Sequence, residues 1–184
     1  PEAAGVVDIR ATVAENLAAV AKAKGLEVRE LTAMVLDRPR HDQIVEDIRS
    51  AGARIRLIGD GDAPGAISTA IPEAGVDILF GIGGTPEGVI AAAALKCLGG
   101  ELVGRLHARD DAERAAAIEF GHDLERVLHT DDLVASDNCF FAATGITDGN
   151  LLKGVHYTRH GATTQSLVMR SRSGTVRFVD AQHR

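Results

Sequence analysis

The sequence predicts an α/β fold in which a partly parallel sheet with helices is followed by a strand-rich C-terminal part. Three times in succession an apolar, strand-like segment is followed by a polar turn and a helical pattern, which is typical of parallel strands joined by crossover helices. Beyond about Leu133 short strand-like runs follow one another instead. We therefore expect an α/β layer that binds substrate and metal over residues 1–133, and a strand-rich part of the same domain over residues 134–184.

The predicted elements have clear boundaries in the sequence. Thr12 and Glu15 have the spacing of a capping box at the start of a first helix, which Gly25 ends. A second helix is expected to stop at Gly52, and an alanine-rich helix is expected to run to about Leu98. The remaining predictions are a helix near residues 111–120, strands at Leu31–Leu36, Ile55–Ile58, Val76–Phe80, Cys139–Ala143, Gly154–Tyr157, Gln165–Met169 and Val176–Val179, and a hairpin turn at Ser171–Gly174.

Composition argues against several classes of function. The formal net charge is −6 and aromatic residues make up 3% without tryptophan, so neither a basic surface nor a base-stacking platform for nucleic acid is expected. No apolar run approaches the ~20 residues that a membrane-spanning helix needs, and a cytoplasmic location is expected. Cys97 and Cys139 are far apart in sequence without metal-ligand spacing, and Cys97 is expected to be a buried free thiol.

Polar segments follow each of the three predicted parallel strands. They are Arg38-Pro39-Arg40, Asp60-Gly61-Asp62 and the glycine-rich stretch Gly81–Gly88. Because the carboxyl ends of parallel strands meet at one edge of a sheet, we expect these segments to converge there. Arginines suit phosphate, acids suit hydroxyls or a divalent cation, and a helix N-terminus suits an anion, so the combination favours a phosphorylated polyol as ligand.

Each segment also has a purely structural interpretation. Arg38 and Arg40, separated by the rigid Pro39, suit a phosphate dianion, but the residues alone somewhat favour a solvated turn with salt bridges to Asp37 and Asp42. Asp60 and Asp62 could bind a metal or sugar hydroxyls, or could simply be turn formers.

The glycine-rich stretch is the most distinctive of the three. Thr85 is the expected N-cap of the alanine-rich helix, Pro86 fits its first position, and Glu87 is then a carboxylate in the first turn, available as a metal ligand. The alternative is a well-capped helix without a ligand. The stretch lacks the lysine of a P-loop and does not match the dinucleotide fingerprint.

Other polar motifs favour structural roles. Ser136-Asp137-Asn138 and Thr144–Gly149 are interpreted as capped turns that frame a strand. His156, His160 and His183 have no ligand spacing, and His41 is expected to mark the start of a helix.

Several motifs in the right order resemble class II fructose-1,6-bisphosphatases, and the resemblance covers nearly the whole chain. The matching segments are Glu30–Thr32, Leu36–His41, Asp60–Asp62, Gly81–Val89, Gly104–Leu106, Ser136–Asn138, Ala143–Thr147 and Ala162–Thr164. The resemblance implies the layered fold of the lithium-sensitive sugar and inositol phosphatases. It also implies hydrolysis of the 1-phosphate of fructose 1,6-bisphosphate in gluconeogenesis, with Mg²⁺ or Mn²⁺.

The resemblance also implies roles for individual residues. Arg38 and Arg40 would hold the non-reacting phosphate, Asp60 and Asp62 would bind the sugar, and Glu87 would be a metal ligand. The implied substrate-binding set is Arg38, Pro39, Arg40, Asp60, Gly61, Asp62 and Gly84.

Family members carry a long additional N-terminal stretch with most of the metal-binding acids and the group that activates water. The expected partners of this chain are therefore the sugar bisphosphate, that N-terminal half and further copies in a homo-oligomer, with no nucleic acid and no membrane. Two alternatives stay open: another sugar- or inositol-phosphate phosphatase, and a non-catalytic module that binds sugar phosphates.

Overall fold

The computed structural model describes residues 1–184. A three-stranded parallel sheet lies at the centre of the first half of the chain. Strand β1 (Thr32–Leu36) is central, with β2 (Arg54–Ile58) on one side and β3 (Ile78–Phe80) on the other. Because the chain passes from β2 across β1 to β3, successive connections cover opposite faces of the sheet. The winding therefore changes direction between β1 and β3.

Side chains on the two faces of β1 pack into different core clusters. Leu31, Ala33 and Val35 lie in one core cluster with residues of helices α1 (Val13–Lys24) and α2 (Asp42–Ala51). The alternating Met34 and Leu36 lie in a second cluster with Ile58 and Val76. Since side chains of a strand alternate between faces, a strand buried on both sides needs apolar residues at consecutive positions, as residues 33–36 provide after the half-buried Thr32.

Helices α3 (Asp62–Ser68) and α4 (Thr85–Leu98) cover the opposite face. Gly65 of α3 lies so close to the sheet that a Cβ there would stand 3.1 Å from the sulfur of Met34 and 3.2 Å from Cδ1 of Ile58. Small residues also dominate the contact between the two helices, where Ala66, Ala70 just beyond the end of α3, and Ala91 pack with Leu95. The abundance of alanine and glycine is thus explained by close helix packing.

A four-stranded antiparallel sheet packs on the other side of these two helices. Its strands are β6 (Phe140–Thr144), β7 (His156–Thr158), β8 (Gly161–Arg170) and β9 (Thr175–His183). Strand β8 is central, pairing with β6 and β7 along one side and with β9 along the other. Its cluster with the helices comprises Ile67, Ala94, Cys97, Phe141, Leu152, Leu167 and Met169. The molecule therefore has four layers: helices, parallel sheet, helices and antiparallel sheet.

An exposed segment connects α4 to the second sheet. It contains the short antiparallel pair β4 (Val103–Gly104) and β5 (Leu128–His129), helix α5 (Asp111–Glu119), which buries no residue, and the single turn α6 (Thr130–Leu133). Lys96 of α4 contacts this segment through a salt bridge to Asp131 at 2.8 Å and a hydrogen bond to the carbonyl of Val134 at 2.8 Å. None of the helices combines the length and apolarity needed to cross a membrane.

The predicted elements are confirmed, with corrections at their ends. The capping box of Thr12 and Glu15 is present, and Gly25 and Gly52 end their helices with left-handed backbone. The predicted N-cap is wrong, because Gly84 is the N-cap of α4 and Thr85 and Pro86 occupy its first two positions. The prediction also lacked β4, β5 and α6, which are too short to produce a periodic pattern.

Candidate functional site

The three polar loops emerge from one edge of the parallel sheet. The strands preceding them end at Leu36, Ile58 and Phe80, and all three run in the same direction. We call the segments that follow the arginine loop (37–41), the aspartate loop (59–62) and the glycine loop (81–84). The strand order places the arginine loop between the other two. It also places a change of winding between β1 and β3, which is where ligands bind in open α/β sheets.

The arginine loop presents both guanidinium groups without an acidic partner. Arg38 has the extended backbone expected before proline, with φ −144° and ψ 142°, and its Nη1 donates to the carbonyl of Asp37 at 2.7 Å. Arg40 donates from Nε to the carbonyl of Ile82 in the glycine loop at 3.0 Å. Neither arginine forms an ion pair, so the alternative of salt bridges to Asp37 and Asp42 is wrong. Positive charge is therefore left available at the centre of the edge.

His41 joins the arginine loop to the glycine loop. It precedes α2, as expected of a residue that marks a helix start. Its side chain is fully buried and forms no capping hydrogen bond. Its Nδ1 lies 2.9 Å from the carbonyl of Leu36, and its Nε2 accepts from the backbone N–H of Ile82 at 2.9 Å. No periodicity in the sequence signals this contact, because its partners are backbone groups 5 and 41 residues away.

The aspartate loop contributes a carboxylate that faces the glycine loop. Asp62 is the first residue of α3, after Gly61 with φ 90°, a left-handed conformation that suits glycine. Its Oδ1 is buried and accepts no hydrogen bond. A Cβ at Gly83 would overlap its Oδ2, so a larger residue at that point of the glycine loop would displace the carboxylate. Asp60 is exposed.

Glu87 lies in the first turn of α4, directly after the glycine loop. A Cβ at Gly84 would overlap Oε2 of Glu87, which shows that the carboxylate folds back over the N-cap residue. Its side chain is exposed and has no ion-pair partner. Asp62 and Glu87 thus flank two consecutive glycines, Gly83 and Gly84.

These donors have the chemistry of a hard-cation site but are too few to complete one. Carboxylate oxygens are the ligands that Mg²⁺ and Mn²⁺ prefer, and a buried carboxylate oxygen without a partner is suited to a ligand's proton or cation. The chain contains no group of three or more potential metal-ligating side chains. Further oxygen ligands would have to come from substrate, water or another polypeptide segment.

Sequence comparison relates this chain to known proteins. The family described as bacterial fructose-1,6-bisphosphatase, glpX-encoded, matches residues 1–183. The chain belongs to this family. It is 39% identical over 196 aligned residues to fructose-1,6-bisphosphatase 1 class 2 of Escherichia coli (strain K12) and to the class 2 enzyme of Shigella flexneri. Each alignment covers 100% of the chain and 58% of the relative, so the chain spans somewhat more than half the length of these curated relatives.

The remaining polar motifs of this family member have their hydrogen bonds satisfied within the second sheet. The side-chain oxygen of Asn138 accepts a hydrogen bond from Nε of Arg170 at 2.9 Å. The hydroxyl groups of Thr144 and Ser166 are hydrogen-bonded at 2.8 Å. Asp148 accepts from the N–H of Gly154 and from His156, and both hydrogen bonds lower the pKa of its carboxyl group. These contacts agree with the interpretation of the motifs as capped turns.

The two cysteines are close in space although distant in sequence. The sulfur atoms of Cys97 on α4 and Cys139 before β6 are 3.7 Å apart, and both are free thiols. Burial, with a smaller contribution from the neighbouring thiol, raises the pKa of Cys97 to about 12. The expectation that Cys97 is a buried free thiol is confirmed. Its proximity to Cys139 could be seen only in the tertiary structure.

Proposed function

We propose that this chain is the substrate-binding part of an enzyme that hydrolyses the 1-phosphate of fructose 1,6-bisphosphate to fructose 6-phosphate and phosphate. The observation that carries the proposal is the convergence of the three loops on one sheet edge. There the unpaired arginines lie beside a glycine loop that is flanked by Asp62 and Glu87. Membership of the family and the names of its curated relatives support this reaction and a role in gluconeogenesis.

The two arginines would hold the phosphate that does not react. Arg40 uses Nε to contact Ile82, which restrains the side chain while its terminal nitrogens remain for an anion. Arg38 is held through Nη1 by the carbonyl of Asp37, so its Nε and Nη2 remain for an anion. A bisphosphate needs such a distant anchor, since one phosphate must be fixed while the other is attacked.

The aspartate loop would orient the sugar between the two phosphates. Asp62 accepts no hydrogen bond at its buried Oδ1, and a sugar hydroxyl is a donor that would satisfy it. Asp60 is exposed beside it and would take a second hydroxyl. Glycines at 61, 83 and 84 would line the site, and the lack of a side chain at 83 and 84 lets the carboxylates of Asp62 and Glu87 lie against the backbone of the glycine loop.

Glu87 would bind a catalytic Mg²⁺ or Mn²⁺ at the reacting phosphate. Such a cation, when bound, neutralises phosphate charge and lowers the pKa of coordinated water. Glu87 is the residue best suited to it in this chain, because its carboxylate is unpaired and lies at a helix N-terminus. Glu87, Arg38 and Arg40 would thus fix the two ends of the substrate.

The group that activates water and most of the metal-binding acids would lie in the N-terminal part of the family enzyme, which would be a partner of this chain. The absence of three clustered ligands in this chain and the greater length of the relatives support this assignment. Residues 134–184 would belong to the same domain as residues 1–133, since Phe141 and Leu167 share a core cluster with Ile67 of α3.

We also propose a homo-oligomer and a cytoplasmic location. The outer strand β9 pairs only with β8, and its Val176, Phe178 and Val179 are between 39% and 50% exposed, which supports burial against a further copy. The two adjacent free thiols support a reducing compartment. Light scattering on the native protein tests the first proposal: a strictly monomeric native protein would contradict it.

A phosphate-release assay with Mn²⁺ tests whether catalysis requires the N-terminal part of the family enzyme in addition to this chain. The purified chain alone should release no appreciable phosphate from fructose 1,6-bisphosphate, and activity should appear when the N-terminal segment of the family enzyme is supplied. Calorimetric titration with the bisphosphate, with and without Mn²⁺, separates this enzyme from a metal-independent binding module. Equal substrate affinity in both conditions together with no activity in any combination would contradict the proposal, as would Glu87-dependent turnover by the chain alone.

A further inference from the structure

His41 is a fully buried polar side chain to which the proposed reaction assigns no task. Its relative exposure is 0%, and both ring nitrogens have backbone partners at 2.9 Å. The N–H of Ile82 can donate only to a nitrogen without a proton, so Nε2 is the acceptor. Nδ1 then carries the proton and donates to the carbonyl of Leu36. The ring is therefore neutral and is held in a single tautomer by the ends of two adjacent strands.

Ile82, which donates to His41, also accepts a hydrogen bond from Arg40. The carbonyl of Ile82 accepts from Nε of Arg40 at 3.0 Å while its N–H donates to His41. Consecutive residues of the arginine loop thus fix both polar groups of one residue in the glycine loop. From Ile82 the chain continues through Gly83 and Gly84 into the first turn of α4, which carries Glu87.

We propose that His41 is a positioning residue that sets the distance between the phosphate-binding arginines and the metal-binding Glu87. This inference rests on the proposed function. Glycine-rich backbone has many accessible conformations, so a loop of this composition needs an external contact to stay in one of them. The hydrogen bond from Ile82 to His41 supplies that contact at the point where β1 and β3 separate. Without it, the site for the metal would move relative to the site for the distal phosphate.

Two substitutions separate positioning from simple packing. His41→Phe keeps a planar ring but removes both hydrogen bonds, leaving the N–H of Ile82 and the carbonyl of Leu36 without partners. His41→Gln keeps one donor and one acceptor at the end of its side chain. Ile48→Ala provides the matched control, because Ile48 of α2 is fully buried like His41, while its core cluster includes no residue of the arginine loop or the glycine loop.

The kinetic test uses the native protein that contains this chain. His41→Phe should raise both the KM for fructose 1,6-bisphosphate and the Mn²⁺ concentration for half-maximal activity by about tenfold or more, in the range found for supporting groups of metal sites. His41→Gln should restore most of both constants. Ile48→Ala should lower the melting temperature and leave both constants within twofold. Unchanged constants in His41→Phe, or equal shifts in Ile48→Ala, would overturn the proposal.

A second measurement does not depend on turnover. Amide hydrogen exchange at Ile82 should be at least about tenfold faster in His41→Phe than in the wild type and the Ile48→Ala control, because the donor loses its acceptor. Calorimetry with Mn²⁺ alone should show weaker binding in the same variant. If the wild-type protein does not hydrolyse the bisphosphate, the proposed function fails, while these two readouts still decide the role of His41. Unchanged exchange at Ile82 and unchanged Mn²⁺ affinity would then reject it.

Discussion

The parallel sheet and the antiparallel sheet both end their strands in turns rich in aspartate, glycine and threonine, but the two sets of turns differ in their hydrogen bonding. Asp148 at the second sheet accepts from the N–H of Gly154 at 2.9 Å and from His156 at 2.8 Å. Asp62 at the first sheet keeps a buried Oδ1 without any partner. Residue type is therefore a poor guide to function here, whereas an unmet hydrogen-bonding requirement distinguishes the candidate site from a structural turn.

The largest expected effect is that of Glu87→Gln. The substitution preserves shape and removes the charge that would hold the cation, so turnover in the native protein should fall about 100-fold or more at fixed metal concentration. Stability should change by only about 0.3–1 kcal/mol, the contribution of a first-turn acid to its helix. Steady-state kinetics and thermal unfolding measure both. Glu119→Gln, on the exposed helix α5, is the matched control, and turnover of Glu87→Gln within twofold of wild type at saturating metal would contradict the ligand role.

Arg38→Ala and Arg40→Ala should weaken substrate binding more than chemistry. Contacts to a phosphate that does not react are similar in ground and transition states, so KM should rise about tenfold or more while kcat changes less. Arg172→Ala, in the hairpin turn of the second sheet, should leave both constants unchanged. A loss of kcat alone would assign that arginine to the reacting phosphate and would reverse the proposed orientation of the sugar.

Replacing the two contrasting aspartates tests the comparison directly. Asp62→Asn should raise the KM by several-fold, because a charged acceptor whose hydrogen bond is worth about 1.5–3 kcal/mol is exchanged for a neutral one worth about 0.5–1.5 kcal/mol. Asp148→Asn should leave the KM unchanged and lower stability slightly at neutral pH. Equal effects of the two substitutions on KM would show that the unmet hydrogen bond does not mark the site.

The pKa of Asp148 gives this pair a further, pH-dependent signature. Its carboxyl pKa is lowered from an ordinary 3.8, so its stabilising effect is present above that value and is lost as the pH falls through the folded-state pKa. Asp148→Asn should therefore show a smaller loss of stability on acidification below about pH 4 than the wild type, measured by urea unfolding at a series of pH values.

The smallest expected effect concerns Cys97, between α4 and the second sheet. Burial raises its thiol pKa from 9.0 to about 12, so the folded state favours the protonated form. The resulting stabilisation is complete below pH 9.0 and is lost as the pH rises toward about 12. Cys97→Ser should flatten this alkaline loss in urea unfolding. Alkylation of Cys97 at pH 8 should be much slower in the folded than in the unfolded chain, and equal rates would contradict its burial.

Local patterns were sufficient to predict most of the fold and the location of the candidate site. Caps, apolar periodicity and helix-ending glycines act within one or two turns of the chain, so Thr12, Gly25 and Gly52 mark their boundaries by themselves. Parallel strands bring their carboxyl ends to one edge, so the convergence of the three loops follows from the sequence alone. The family resemblance was also contained in those loops.

The tertiary structure decided the relations between segments that are distant in the chain. It determined that β1 is central, that the arginines have no acidic partner, that His41 reaches Ile82 and that Cys97 lies against Cys139. It also corrected the N-cap of α4 from Thr85 to Gly84 and left Asp62 with a buried, unpartnered oxygen. None of these follows from local pattern, because each depends on which backbone or side-chain groups the packed layers bring within hydrogen-bonding distance.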